Sequence, residues 1–274
     1  MNPTADFDSS RRWKMKKYVS RIILAIGAFL VIQGFLMHAI SPGARCDLDI
    51  LLEAGKRYAS NQAVYRLEDL NEHTKPPLLT PLLGMLAALP REPVRIFWDL
   101  MNLLLPFVVL GLWQGVAGTR LRWTDTRLWT AAAGALLLLR GAWRAEMDLG
   151  QYNLLTLTLT LAAWRLVRRD GWTMAGGLAL LSLLLKPTQL FLIPWILLAH
   201  PDRPAAGQLR RFALGSLILV LLLAGLDALH QPIGKLLEAG SDWLHFLPHS
   251  SQKHILRWDN FGIPSVLEIG RAHV

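Results

Sequence analysis

Asp47 and Asp49 stand in a polar stretch just after the first apolar run, and Tyr65 and Lys75-Pro76-Pro77-Leu78 follow them. A carboxylate held at a membrane surface can take a proton from a hydroxyl, so either aspartate is a candidate general base. Residues 48–58 read as an amphipathic helix, with Ile50, Leu51, Ala54 and Tyr58 on one face and Glu53, Lys56 and Arg57 opposite. Such a helix lies flat on the bilayer with both aspartates at its N-terminus. The helix dipole favours the ionised carboxylate there, which is the state a base needs. The plainer role is helix capping, and the two roles are compatible.

A second group opens another apolar run. Glu146 and Asp148 precede Gln151 and Asn153. Amides at the mouth of a span either hydrogen-bond sugar hydroxyls or satisfy nearby backbone. Lys186 follows a long apolar stretch and precedes Pro187. An ionisable group at a helix end in lipid is costly, which marks it as a functional candidate with a phosphate as its natural partner. The competing account is a lysine snorkelling to the headgroups. His230, His245, His249 and His254 crowd the C-terminal segment without a metal-ligand spacing, and a wet interfacial loop is expected there. Asp227, Gln33 and His38 fall near span ends and are expected to be peripheral.

The elements that must position these groups are apolar helices. Of 274 residues, 53% are hydrophobic and only 18% charged, which implies an all-α, multi-pass membrane protein. Many of the eleven Trp sit near span ends, as in an interfacial belt. The net charge of +9 comes from basic residues in short loops, so it speaks for bilayer orientation and against nucleic acid. The single Cys46 excludes an internal disulfide and a cysteine metal cluster. Residues 1–20 read as a basic cytoplasmic N-terminus, and the first span as a retained signal anchor.

Runs at 22–40, 94–116 and 212–229 are long enough, or nearly so, to cross; those at 128–143, 154–167, 172–185 and 187–200 are shorter. The run at 78–89 is ambiguous. If it re-enters rather than crosses, and if the chain hinges at Lys186-Pro187, every basic loop falls on one side. That gives about seven spans, with interfacial and re-entrant helices in a first outer loop at 41–91. Residues 144–153, the Lys186 hinge and the segment after His230 share that outer face. Transport of a lipid-linked sugar is the rival to an enzyme of the outer face. Transporters tend to carry inverted repeats, and none is visible here.

Asp47-Leu48, Glu53-Ala54, Tyr65, Lys75-Pro76-Pro77-Leu78, Pro81, Trp98 and Asn102 occur in an order that resembles glycosyltransferase family 87. Gly150-Gln151-Tyr152-Asn153-Leu154-Leu155, Ala175-Gly176-Gly177-Leu178 and Lys186-Pro187-Thr188 continue that order. The resemblance covers about residues 21–264. It implies the GT-C type of membrane transferase, which takes a hexose, often mannose, from a polyprenyl-phosphate donor on the outer face of the cell membrane. A glycan or glycolipid would be the acceptor. It implies Asp47 as the catalytic base; the residues themselves then suggest Lys186 for the departing lipid phosphate and Asp49, Glu146, Asp148, Gln151 and Asn153 for substrate. No metal and no cofactor beyond the lipid-linked sugar are expected. Lys75-Pro76-Pro77 also resembles a motif of lipid-linked aminosugar transferases, so the sugar stays open. Members of the family are commonly longer. Ile269-Gly270-Arg271-Ala272-His273-Val274 reads like a translated sequencing adapter, so the native part of the transmembrane domain at 21–267 is expected to stop near Leu267, with 268–274 foreign.

Overall fold

In a computed structural model, residues 47–66, 73–117, 150–198 and 205–255 are described, with scattered positions at 18–33 and at 130 and 134. All regular structure among them is helical. The expected spans at 22–40 and 128–143 lie largely outside the described residues. So do Glu146, Asp148, the basic loop at 118–127 and the segment at 256–274.

Helix α1, Asp47–Ala59, realises the amphipathic segment. Its inner face is Leu48, Leu51, Leu52, Ala54, Gly55 and Tyr58, wider than the stripe expected from the sequence and without the half-buried Ile50. The helix ends on Asn61, whose φ of 56° is the left-handed cap conformation that asparagine tolerates. Its partner is a 3-10 turn, Pro77–Leu79, running into α2, Thr80–Ala87. A Cβ on Gly55 would collide with the carbonyl of Leu83, so only glycine permits this close crossing. Eight residues of α-helix rise about 12 Å, well short of a bilayer core of about 30 Å. The segment packs on α1 as a short hairpin arm.

Helix α3, Arg91–Ala117, and α7, Ala206–Ala228, are long and apolar enough to cross a membrane. Each turns an apolar flank outward: Phe97 and Leu104 on α3, Leu221 and Leu222 on α7. Solvent would not tolerate two such stripes, whereas lipid does. Val94, Trp98, Asn102 and Leu105 form the inward stripe of α3. Between the long helices lie α4, Asn153–Val167, and α5, Trp172–Leu185. Gly176 and Gly215 let α5 and α7 meet backbone to backbone.

The chain breaks at Lys186, which is extended (φ −141°, ψ 101°), as the following proline requires. The expected second short span at 187–200 is smaller than the sequence suggests. It is a 3-10 stretch, Pro187–Leu192, followed by α6, Ile193–Leu197. Pro187 and Pro194 each deny an amide to a continuous helix. Even so, Ile196 returns to pack with Val167 and Trp172, so this piece runs back to the opposite end of the bundle from Lys186.

The expected loop after His230 is a helix instead: α8, Ile233–Ile255. Leu236, Ala239, Gly240, Trp243, Phe246 and Leu247 line its inner face at helical spacing. His245 and its C-terminal histidine neighbours therefore ride on a helix and not in a loop.

Candidate functional site

The first turn of α1, the loop before the 3-10 turn, and the start of α4 converge at one end of the bundle. There Asp47, His73, Lys75 and Tyr152 line a cavity of about 130 Å³. The Lys75 ammonium lies 5.0 Å from the centre of the Tyr152 ring, a cation–π contact. Burial pushes the Lys75 amine down from its ordinary range; the charge of Asp47 works against that, and the charge of Lys186 adds to it. One ammonium and one carboxylate thus line the cavity, and the charge of Lys186 reaches it from nearby.

Lys186 donates to Asn153 Oδ1, and Asn153 Nδ2 donates to Gln151 Oε1 at 2.7 Å. Both predicted amides are therefore present, arranged as a relay that fixes the lysine. The backbone beneath them is held from α3. Trp98 Nε1 donates to the Gly150 carbonyl at 3.0 Å and Asn102 Nδ2 to the Gln151 carbonyl at 3.2 Å. Gly150 has a φ of 62°, which glycine adopts without strain. Trp98 and Asn102, both among the residues of the family resemblance, are four apart on one helix face, a spacing that fits their shared task.

The Lys75 loop is fixed just as closely. Tyr65 donates to the Lys75 carbonyl at 2.7 Å, and Trp243 of α8 donates to the Thr74 carbonyl at 3.1 Å. Tyr65 stacks on His73 with ring centres 5.8 Å apart. His73 is buried, and neither ring nitrogen has a hydrogen-bond partner among the described residues. Burial first, then the charges of Lys75 and Arg57, lower its pKa to about 3, so the ring stays neutral. Burial likewise pushes the Tyr65 phenol above its ordinary range, aided by Asp242.

The two aspartates of α1 part company. Two residues on a helix are about 200° apart. Asp47 faces the lysines; Asp49 pairs with Arg91 at 2.7 Å in a separate cleft with Glu53 and Lys56. Asp49 is thus not brought to the Lys75 cavity. Glu146 and Asp148 lie outside the described residues.

Asp227, expected to be peripheral, is 1% exposed. Tyr58 donates to its Oδ1 at 2.6 Å across 169 residues of sequence, and Gln231 Nε2 donates to the Tyr58 carbonyl at 2.8 Å. Burial, with Asp227 as acceptor, pushes the Tyr58 phenol up. Position near a span end gave no hint of this pair, because its partner lies in α1, far away in the sequence.

The other end of the bundle is basic. Asp170, at φ 63°, ends α4 and accepts from Trp172 Nε1 at 2.7 Å and from Gln208 Nε2 at 3.4 Å. Arg211 approaches its second oxygen at 3.9 Å. Arg165, Arg168, Arg169, Arg210 and Arg211 therefore gather at the end remote from Lys186.

A family model described as glycosyltransferase family 87 matches residues 73–271. The match begins at His73 and covers Lys75, the Gly150–Asn153 turn, Lys186 and Asp227; Asp47 lies ahead of it. No curated protein and no solved structure matches the chain.

Proposed function

The chain belongs to glycosyltransferase family 87, and from that premise we propose that it moves a hexose, in the first instance mannose, from a polyprenyl-phosphate donor to a hydroxyl of a glycan or glycolipid. In this reading it is a GT-C transferase of the cell membrane working at the outer face. Asp47 takes the proton of the acceptor hydroxyl as that oxygen attacks the anomeric carbon. The bond from the anomeric carbon to the phosphate oxygen breaks, and the polyprenyl phosphate leaves with its electrons. Lys75 and Lys186 meet the charge that builds on the leaving phosphate.

One observation carries the reading: half-buried Lys75 lines one cavity with Asp47, and Lys186, held by Asn153, adds a second positive charge close enough to be felt there. Both ammonium groups can meet negative charge as it gathers on the phosphate during bond breaking. The apolar flanks of α3 and α7 suit the polyprenyl chain. The relay Gln151–Asn153–Lys186 keeps one ammonium in place and presents amides to sugar hydroxyls. The chemistry needs no metal clamp on a nucleotide, since the donor carries a single lipid phosphate.

Membranes holding the chain, supplied with labelled polyprenyl-phosphate mannose and a glycolipid acceptor, should move label onto the acceptor. Label that crosses the bilayer without joining an acceptor would instead make the protein a flippase. Orientation has its own test in a chain lacking Cys46. Cysteine at Ser60 should react with an impermeant thiol reagent in intact cells, and cysteine at Gly207 should not; the reverse pattern would put the site on the inner face.

A further inference from the structure

A second cavity, of about 280 Å³, opens between the end of α1, the end of α7 and the inner face of α8. We infer that it binds one neutral hexose unit of the acceptor glycan, held through Asp227. This rests on the transferase reading and adds a subsite to it.

Asp227 lines the cavity and is almost wholly buried. Its Oδ1 accepts from Tyr58, while its Oδ2 has no hydrogen-bond partner among the described residues. A buried carboxylate oxygen left unmatched is costly, and a hydroxyl donor from a ligand removes that cost. The remaining lining is what a sugar needs. Asn61, Gln62 and Gln231 supply amides, and Tyr58 and Tyr65 contribute phenol rings.

Charge separates this cavity from the first. Asp227, Glu238 and Asp242 outweigh Lys235, whose ammonium is already paired with Glu238 at 3.1 Å. An anionic phosphate is disfavoured there and a neutral sugar is not. A metal ion is a poorer fit, because no three acidic or histidine side chains converge among the described residues. The volume is close to the lower end of small-molecule sites, about 300 Å³, which suits a single ring better than a lipid chain.

The two cavities share one aromatic layer. Tyr65 lines the second cavity and stacks on His73, which lines the first. A glycan resting against Tyr65 is therefore one ring pair away from Asp47 and Lys75. The donor phosphate goes to the cationic side of this layer and the acceptor body to the acidic side.

The test is saturation-transfer NMR with methyl α-mannoside and methyl α-glucoside at tens of millimolar, on the full chain in nanodiscs. Ala239→Phe fills the cavity from α8, and Gln62→Trp blocks its exposed rim without touching the core. Both should weaken the signal by about ten-fold or more, while Asp47→Asn keeps it. Unchanged signal in both cavity variants, loss in Asp47→Asn instead, or no saccharide signal in the parent chain would each overturn the subsite. Transfer is assayed on the same samples. Cavity-dependent binding without any transfer would uphold the subsite and remove the transferase reading.

Discussion

The two ends of the helical bundle carry similar residue types in opposite physical states. At the Asp170 end the charges are on the surface: Asp170 and Arg211 side chains are each 60% exposed. Water and salt screen such a pair, and its geometry is worth at most about 1 kcal/mol. At the Lys75 end the charges are partly withdrawn from water. Lys75 is depressed by burial, His73 is held neutral, and Asp227 keeps an unmatched oxygen inside. A fold of marginal stability retains such costs only where they serve a ligand or a reaction. In the transferase reading proposed above, the basic end orients the protein and the Lys75 end holds the chemistry.

Four substitutions sharpen this contrast, given from the largest effect to the smallest. Lys75→Met keeps the stem over Tyr152 but deletes the charge. Transfer should fall by about 100-fold or more, with no loss of thermal stability, since a buried charge has gone. A full-rate Lys75→Met enzyme would erase the distinction between the ends. Lys186→Met removes the second ammonium. Its expected cost is about ten-fold, seen in kcat/KM for the donor and not for the acceptor. Equal losses for both substrates would reassign Lys186 to holding the Asn153 turn.

The third concerns acid. His73 has a folded-state pKa near 3 against an ordinary 6.5, so the unfolded chain binds the extra proton first as pH falls. The stability linked to His73 is fully present above pH 6.5 and is lost as pH drops toward 3, by up to about 1.4 kcal/mol per pH unit. His73→Phe retains the stack on Tyr65 and should flatten the fall in thermal midpoint between neutral pH and pH 4.5. An unchanged slope would mean that other groups set the acid limit. The smallest effect belongs to the basic end. Asp170→Asn keeps an oxygen for Trp172 and should alter stability by no more than about 0.5 kcal/mol, leaving transfer untouched. A large loss of transfer there would break the comparison outright.

Local patterns in the sequence were enough to reach much of this architecture. Helix α5 has the bounds expected from its apolar run, and α1 and α4 differ from expectation by a residue at one or both ends. The break at Lys186 followed from one proline. Helix α8 was hidden because the crowd of histidines after His230 suggested a loop, although Leu236, Trp243 and Phe246 already had helical spacing. Long-range pairings were not legible. Tyr58 meets Asp227, and Lys75 lies over Tyr152, only because the bundle brings distant segments to one end. His73 sits in a polar stretch that predicts exposure, yet it is buried with Tyr65 stacked on it and Phe246 of α8 against the Tyr65 ring. The resemblance singled out Asp47 over Asp49, but their helix geometry alone offered both; the turn between them places Asp47 in the Lys75 cavity and Asp49 on Arg91.

That separation gives the most direct test of the mechanism. Sugar transfer by Asp47→Asn and Asp49→Asn is measured in membranes and normalised to folded protein. Asparagine still caps a helix, so a capping role loses at most about 1 kcal/mol in either variant. It cannot accept the hydroxyl proton, so Asp47→Asn should lose about 100-fold or more in rate, while Asp49→Asn, which weakens only the contact with Arg91, stays within a few-fold of the parent. Near-normal transfer by Asp47→Asn would contradict the account, and a dead Asp49→Asn beside it would move the base to the other face of the helix.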